Sequence, residues 1–183
     1  MKSVIIPKLL QELHGKQASV LSLVLVYSTA FLFGCLVSIQ IIPLALPAWK
    51  SILLFVIVAD IAGGAIANFT TSTRQYYREN KHLQLPFLLM HLLHPVLLFW
   101  VVPQFTTVSI LMGALTFVSV IIIRLLAHNQ ELKVISVFLF VVNCTIILLI
   151  PCTFDYLKII PILFFLKLIM GFAVGVFSDK KRI

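Results

Sequence analysis

The chain has 183 residues, 61% hydrophobic and only 11% charged, with a mean hydropathy of +1.13. Soluble domains carry roughly 45–50% apolar and about 25% charged residues, so a soluble enzyme, a disordered chain and a nucleic-acid-binding domain are excluded. The net charge of +8 resembles a nucleic-acid signal, but its placement along the chain follows membrane topology, and no nucleic-acid partner is expected.

Residues 1–17 form an N-terminal cytosolic or interfacial segment. Ile6, Leu9, Leu10 and Leu13 fall on one helical side, which predicts a short interfacial helix over 4–13 ending near Gly15. A frayed tail is the alternative. The apolar run that follows is about 25 residues, too long for the h-region of a signal peptide.

A membrane-crossing helix needs about 20 mostly apolar residues. Such stretches fall at 18–42, 50–68, 86–102, 107–127, 134–150 and 159–177. The expected fold class is therefore all-α, a polytopic membrane protein with a six-helix bundle over 18–177 and a basic tail over 178–183. Prolines punctuate the breaks: Pro43 and Pro47 bracket the first turn, Pro103 closes the third span, Pro151 closes the fifth, and Pro161 suits the start of the sixth. The polar stretch 69–85 leaves the end of the second helix open.

With the N-terminus inside, 11 of the 14 Lys and Arg lie in cytosolic segments. Only Lys50 and Lys158 lie outside, and Lys167 falls within a span. This asymmetry puts both termini in the cytosol and the protein in the cytoplasmic membrane, in contact with membrane lipids. Arg124, near the cytosolic end of the fourth span, reads as a side chain that snorkels to the headgroups. Three cysteines without paired spacing, Cys35, Cys144 and Cys152, argue against a disulfide framework.

Small residues recur every four positions: Ala30, Gly34 and Ser38; Ala59, Gly63 and Ala67; Gly171 and Gly175. Such stripes let helices approach closely in lipid. They point to closure of the bundle, or to contact with a membrane protein partner or a second copy.

Polar residues at mid-span carry the functional reading. Asp60, His94, Asn143 and Lys167 fall near the middle of four different spans, with His91 one turn from His94. Ionisable groups cost roughly 2.5–3.5 kcal/mol at a helix centre and normally face the bundle interior in pairs. Asp60, Gly64 and Asn68 share one helix face, and Gly63 and Gly64 remove bulk beside Asp60. Below them, Asn68 and Arg74 would form a cytosolic mouth. In Met90-His91-Leu92-Leu93-His94-Pro95 the two histidines share a face, and Pro95 would leave the His91 carbonyl without its helical donor.

The fragment Ala62-Gly63-Gly64 resembles the A-G-G-x-H motif of the accessory gene regulator membrane cysteine peptidases. Ile66 and Thr73 stand where the histidine and cysteine would be, so that chemistry has neither base nor nucleophile. The outline of six helices is similar to the substrate-binding subunits of energy-coupling vitamin importers in size and topology alone.

Three functions remain open. The leading one is transport-type handling of a small ligand, ion or proton by Asp60, Asn68, Arg74, His91, His94, Asn143 and Lys167. The second is an intramembrane enzyme acting on a lipid or apolar substrate, with a divalent metal on His91, His94 and Asp60. The third is an accessory subunit of a larger complex.

Overall fold

The computed structural model describes residues 2–178. Among these residues, six helical stretches are long and apolar enough to cross a membrane: Val20–Gln40, Ala48–Ala67, Lys81–Val101, Pro103–Leu125, Leu132–Leu149 and Asp155–Phe177. They match the expected spans within a few residues, as an all-helical, multi-pass architecture requires. Most of the basic tail, residues 179–183, lies outside the described residues.

The first 19 residues depart from expectation. Strand β1 (Ser3–Ile5) pairs antiparallel with β2 (Gln17–Ser19), around a single turn of helix, α1 (Gln11–His14). The apolar stripe read as a helix is split: Ile6 is buried, whereas Leu9 is 91% exposed. Gly15 accounts for the difference. Its φ of +73° reverses the chain, and a side chain there would collide with Ser72. The hairpin docks on α4 (Thr71–Glu79), where Thr73 Oγ1 donates to the Leu13 carbonyl at 2.8 Å.

Helix α2 (Val20–Gln40) begins at Ser19, whose Oγ accepts from the Ser22 N–H. It packs mainly on α3 (Ala48–Ala67). A Cβ at Gly63 would sit 3.0 Å from the Ala30 Cβ, so the small residues bring these two backbones together as the stripe implies. Gly34 instead makes room for the Phe55 ring. The 69–85 stretch is not an extension of α3. The chain turns at Asn68–Phe69, and Thr70 caps α4 by accepting from the Thr73 N–H.

The third span is two helices, α5 (Gln84–Met90) and α6 (Leu93–Val101), with the break at His91–Leu92. It lies ahead of Pro95, and the His94 N–H donates to the His91 carbonyl at 3.3 Å. That carbonyl is therefore satisfied, contrary to the reading from Pro95 alone. Helices α7 (Thr106–Leu125) and α8 (Leu132–Leu149) follow. The sixth span is the most buried. It joins α9 (Ile159–Phe165), a π-helical segment Leu166–Ala173, and α10 (Val174–Phe177). Its Phe164, Phe165 and Phe172 are fully buried with Tyr77 of α4, so this span is the axis of the core. Cys35, Cys144 and Cys152 are free.

Candidate functional site

Lys167 lies in the π-helical segment with 3% of its side chain accessible. Such widened turns re-aim side chains and occur often at functional sites. A Cβ at Gly64 would collide with Lys167 Cε, so Gly64 provides the space that the lysine stem fills. Its Nζ donates to Asp60 twice, to Oδ2 at 2.7 Å and to the backbone carbonyl at 3.1 Å. The second contact satisfies a donor that burial would otherwise leave unpaired.

Asp60 Oδ2 also accepts from His94 Nε2 at 2.7 Å. One carboxylate oxygen thus joins three spans. No hydrogen bond engages Oδ1 among the described residues, and 44% of the Asp60 side chain is accessible. Asp60 continues the exposed stripe of Ile52 and Val56 on α3. Beside it, Leu93 and Val96 of α6 are also exposed. The site therefore opens sideways, at mid-span, along the α3–α6 seam. Toward the far end of the seam, the Trp49 and Trp100 rings meet at 5.1 Å.

His91 is buried, and its Nδ1 donates to the Phe87 carbonyl at 2.6 Å. The His91 and His94 rings stack with centroids 5.0 Å apart. The ring of Phe164 lies 5.6 Å from that of His94 and 6.2 Å from that of His91. His91 Nε2 and His94 Nδ1 are both buried without a hydrogen-bond partner among the described residues. Since Nδ1 of His91 and Nε2 of His94 carry the donated protons, the open nitrogens can each accept one more hydrogen bond or proton. One ligating atom from each of Asp60, His91 and His94 lies within 4.8 Å of the others.

Asn68 and Arg74 act as ties beside this cluster. Asn68 Nδ2 donates to the Lys167 carbonyl at 3.0 Å, and Arg74 Nε donates to the Asn68 carbonyl at 2.9 Å. Asn68 thereby supports the π-helical backbone that carries Lys167. Arg74 lies over the Phe69 ring, and burial with the neighbouring Arg78 charge pulls its pKa below the ordinary range. Asn143 lies apart from the cluster. It is buried, and its Nδ2 donates to Ser119 Oγ at 2.9 Å, tying α8 to α7.

Two contributors are invisible to a reading of polar side chains: the Phe87 carbonyl that fixes His91, and the Phe164 ring that walls the histidines. The signal for Phe87 is its i, i+4 spacing to His91. Comparison with known protein families, curated proteins and solved structures found no match.

Proposed function

We propose that this is a multi-pass protein of the cytoplasmic membrane, with cytosolic termini, that handles a proton or a small hydrogen-bonding ligand at the Asp60–His94–Lys167 site, a transport-type function. The observation that carries this reading is one carboxylate oxygen held at 2.7 Å by both Lys167 and His94, halfway along the spans. Its sister oxygen has no hydrogen bond among the described residues, and 44% of the side chain is accessible. A proton passing between these groups travels along hydrogen bonds already formed. The open nitrogens of His91 and His94 offer it two further positions. The charge distribution supports the orientation: Lys16, Arg74, Arg78, Lys81 and Arg124 cluster at one end of the bundle, Lys50 and Lys158 at the other.

The test is proton movement into vesicles reconstituted with purified protein under an imposed gradient. Asp60→Asn, reconstituted at an equal level of folded protein, should abolish it. Equal loss of folded protein and of proton movement would mark the network as structural.

One observation favours the metal-dependent enzyme as a second reading. Both histidines give their other ring N–H to an acceptor, Phe87 O and Asp60 Oδ2, as metal-ligating histidines generally do. Against it stands the Lys167 ammonium on Asp60 Oδ2, which a divalent cation on that carboxylate would face at close range.

A further inference from the structure

At the end of the bundle that carries α4, a half-open cavity of about 570 Å³ lies between α4, the start of the third span, the end of α7 and the end of the sixth span. Three cations from three elements converge on it: Arg78, Lys81 and Arg124. No carboxylate lines it among the described residues, and none of the three forms an ion pair among those residues. By contrast, Lys16, Lys158 and Lys167 each hold a carboxylate. Facing no carboxylate among the described residues, the three cations repel one another at the cavity, and an anion relieves the arrangement.

The details favour a phosphate group. Arg78 is partly buried, and its Nε has no hydrogen-bond partner among the described residues. Among the described residues its Nη2 reaches Ser178 Oγ, at 3.4 Å. Arg124 is oriented by the Phe177 ring, 5.3 Å beneath its guanidinium. Two guanidinium forks and an ammonium match the several acceptor oxygens of a phosphate. Val176, Phe177 and Ala127 give the cavity an apolar wall, and its volume exceeds that of the anion alone. We infer that Arg78, Lys81 and Arg124 form a binding site for a phosphate ester at the polar–apolar boundary of the bundle. The group is either the headgroup of an anionic lipid or a free phosphate ester. This site is separate from the Asp60 cluster and does not depend on its function.

The test titrates detergent-purified full-length protein with dihexanoyl phosphatidic acid and, separately, with glycerol 3-phosphate. Both are followed by thermal unfolding at constant ionic strength. Saturable stabilisation is expected from at least one, weakened about tenfold or more in Arg78→Gln/Arg124→Gln, as loss of charged hydrogen bonds implies. Lys50→Gln, at the opposite end, should bind as the wild type does. Should the first variant fail to fold, Lys81→Gln/Arg124→Gln, whose side chains are exposed, gives the same reading. Binding of phosphatidic acid alone assigns the site to a lipid headgroup, and equal binding of glycerol 3-phosphate assigns it to a soluble ester. The inference is overturned if neither ligand saturates, or if Lys50→Gln weakens binding as much as the pocket variants do.

Discussion

Lys167 and Asp60, 107 residues apart, meet through both the side chain and the backbone of the aspartate. The double contact divides their roles. Lys167 is buried and needs acceptors, whereas Asp60 is half-open and holds one oxygen in reserve. Removing one member of a buried pair typically costs 3–5 kcal/mol because the other charge is stranded. Asp60→Leu should therefore destabilise the protein by about 3 kcal/mol, near the lower end of that range because Asp60 is partly solvated. Lys167→Met should cost less, since Asp60 keeps His94 and its open face. The double variant should recover most of the loss. Unfolding of the detergent-solubilised variants checks all three.

Gly64→Ala should reproduce the Lys167→Met phenotype without touching an ionisable group. The added methyl occupies the space of Lys167 Cε, so the end of the lysine side chain must shift, and its bonds to Asp60 shift with it. Overpacking of this kind costs about 1–3 kcal/mol. If Gly64→Ala keeps full proton movement and stability, the lysine has other room and its position is not set by this glycine.

Asn143 separates structure from function. Its amide is spent on Ser119 in a tie between α7 and α8. Asn143→Ala should lower stability by about 1 kcal/mol, the worth of an ordinary hydrogen bond. Proton movement per folded molecule should stay at the wild-type level. A loss like that of Asp60→Asn would bring Asn143 into the working site after all.

The N-terminal hairpin should release at mildly acid pH. His14 is buried and shares a hydrogen bond with Tyr27 Oη at 2.9 Å, and burial lowers its pKa. The docked hairpin thus binds fewer protons than the released one. Docking is at full strength above the ordinary histidine value of about 6.5 and weakens as pH falls below it toward the lowered docked value. Hydrogen exchange over residues 3–19, corrected for intrinsic rates, should rise on acidification. In His14→Phe the pH dependence should vanish.

Elemental analysis separates the proton reading from the metal reading. With Lys167 held on Asp60 Oδ2, purified protein should carry no stoichiometric divalent metal. Near one metal per chain, lost in His91→Ala/His94→Ala, would make the enzyme reading the better one.

Much of the fold was legible because hydropathy alone marks where a helix crosses. The Asp60–Lys167 pair was legible for a related reason: these are the charges at the centres of otherwise apolar spans. Rotation about the helix axis was not legible. Helix α8 is apolar on nearly every side, so nothing in its pattern says that Asn143 faces α7 and not α3. The break at His91–Leu92 was not legible because Pro95 shows only its own missing N–H, while the backbone turns two residues before His94. The hairpin was missed because the stripe from Ile6 to Leu13 is shared by a helix and by a chain that reverses at Gly15. Arg124 read as a snorkelling side chain, since partners from α4 and the third span are not adjacent to it in sequence.

Asp60 joins Lys167 to His94, while His91 is held separately by Phe87. Nitrogen-15 NMR of histidine-labelled protein tests it most directly, comparing wild type with Asp60→Asn. The His94 Nε2–H should carry the signature of a hydrogen bond to a carboxylate and lose it in the variant, while His91 keeps its Nδ1–H signal unchanged. A His94 spectrum indifferent to Asp60→Asn, or one in which both histidines shift together, would contradict the account.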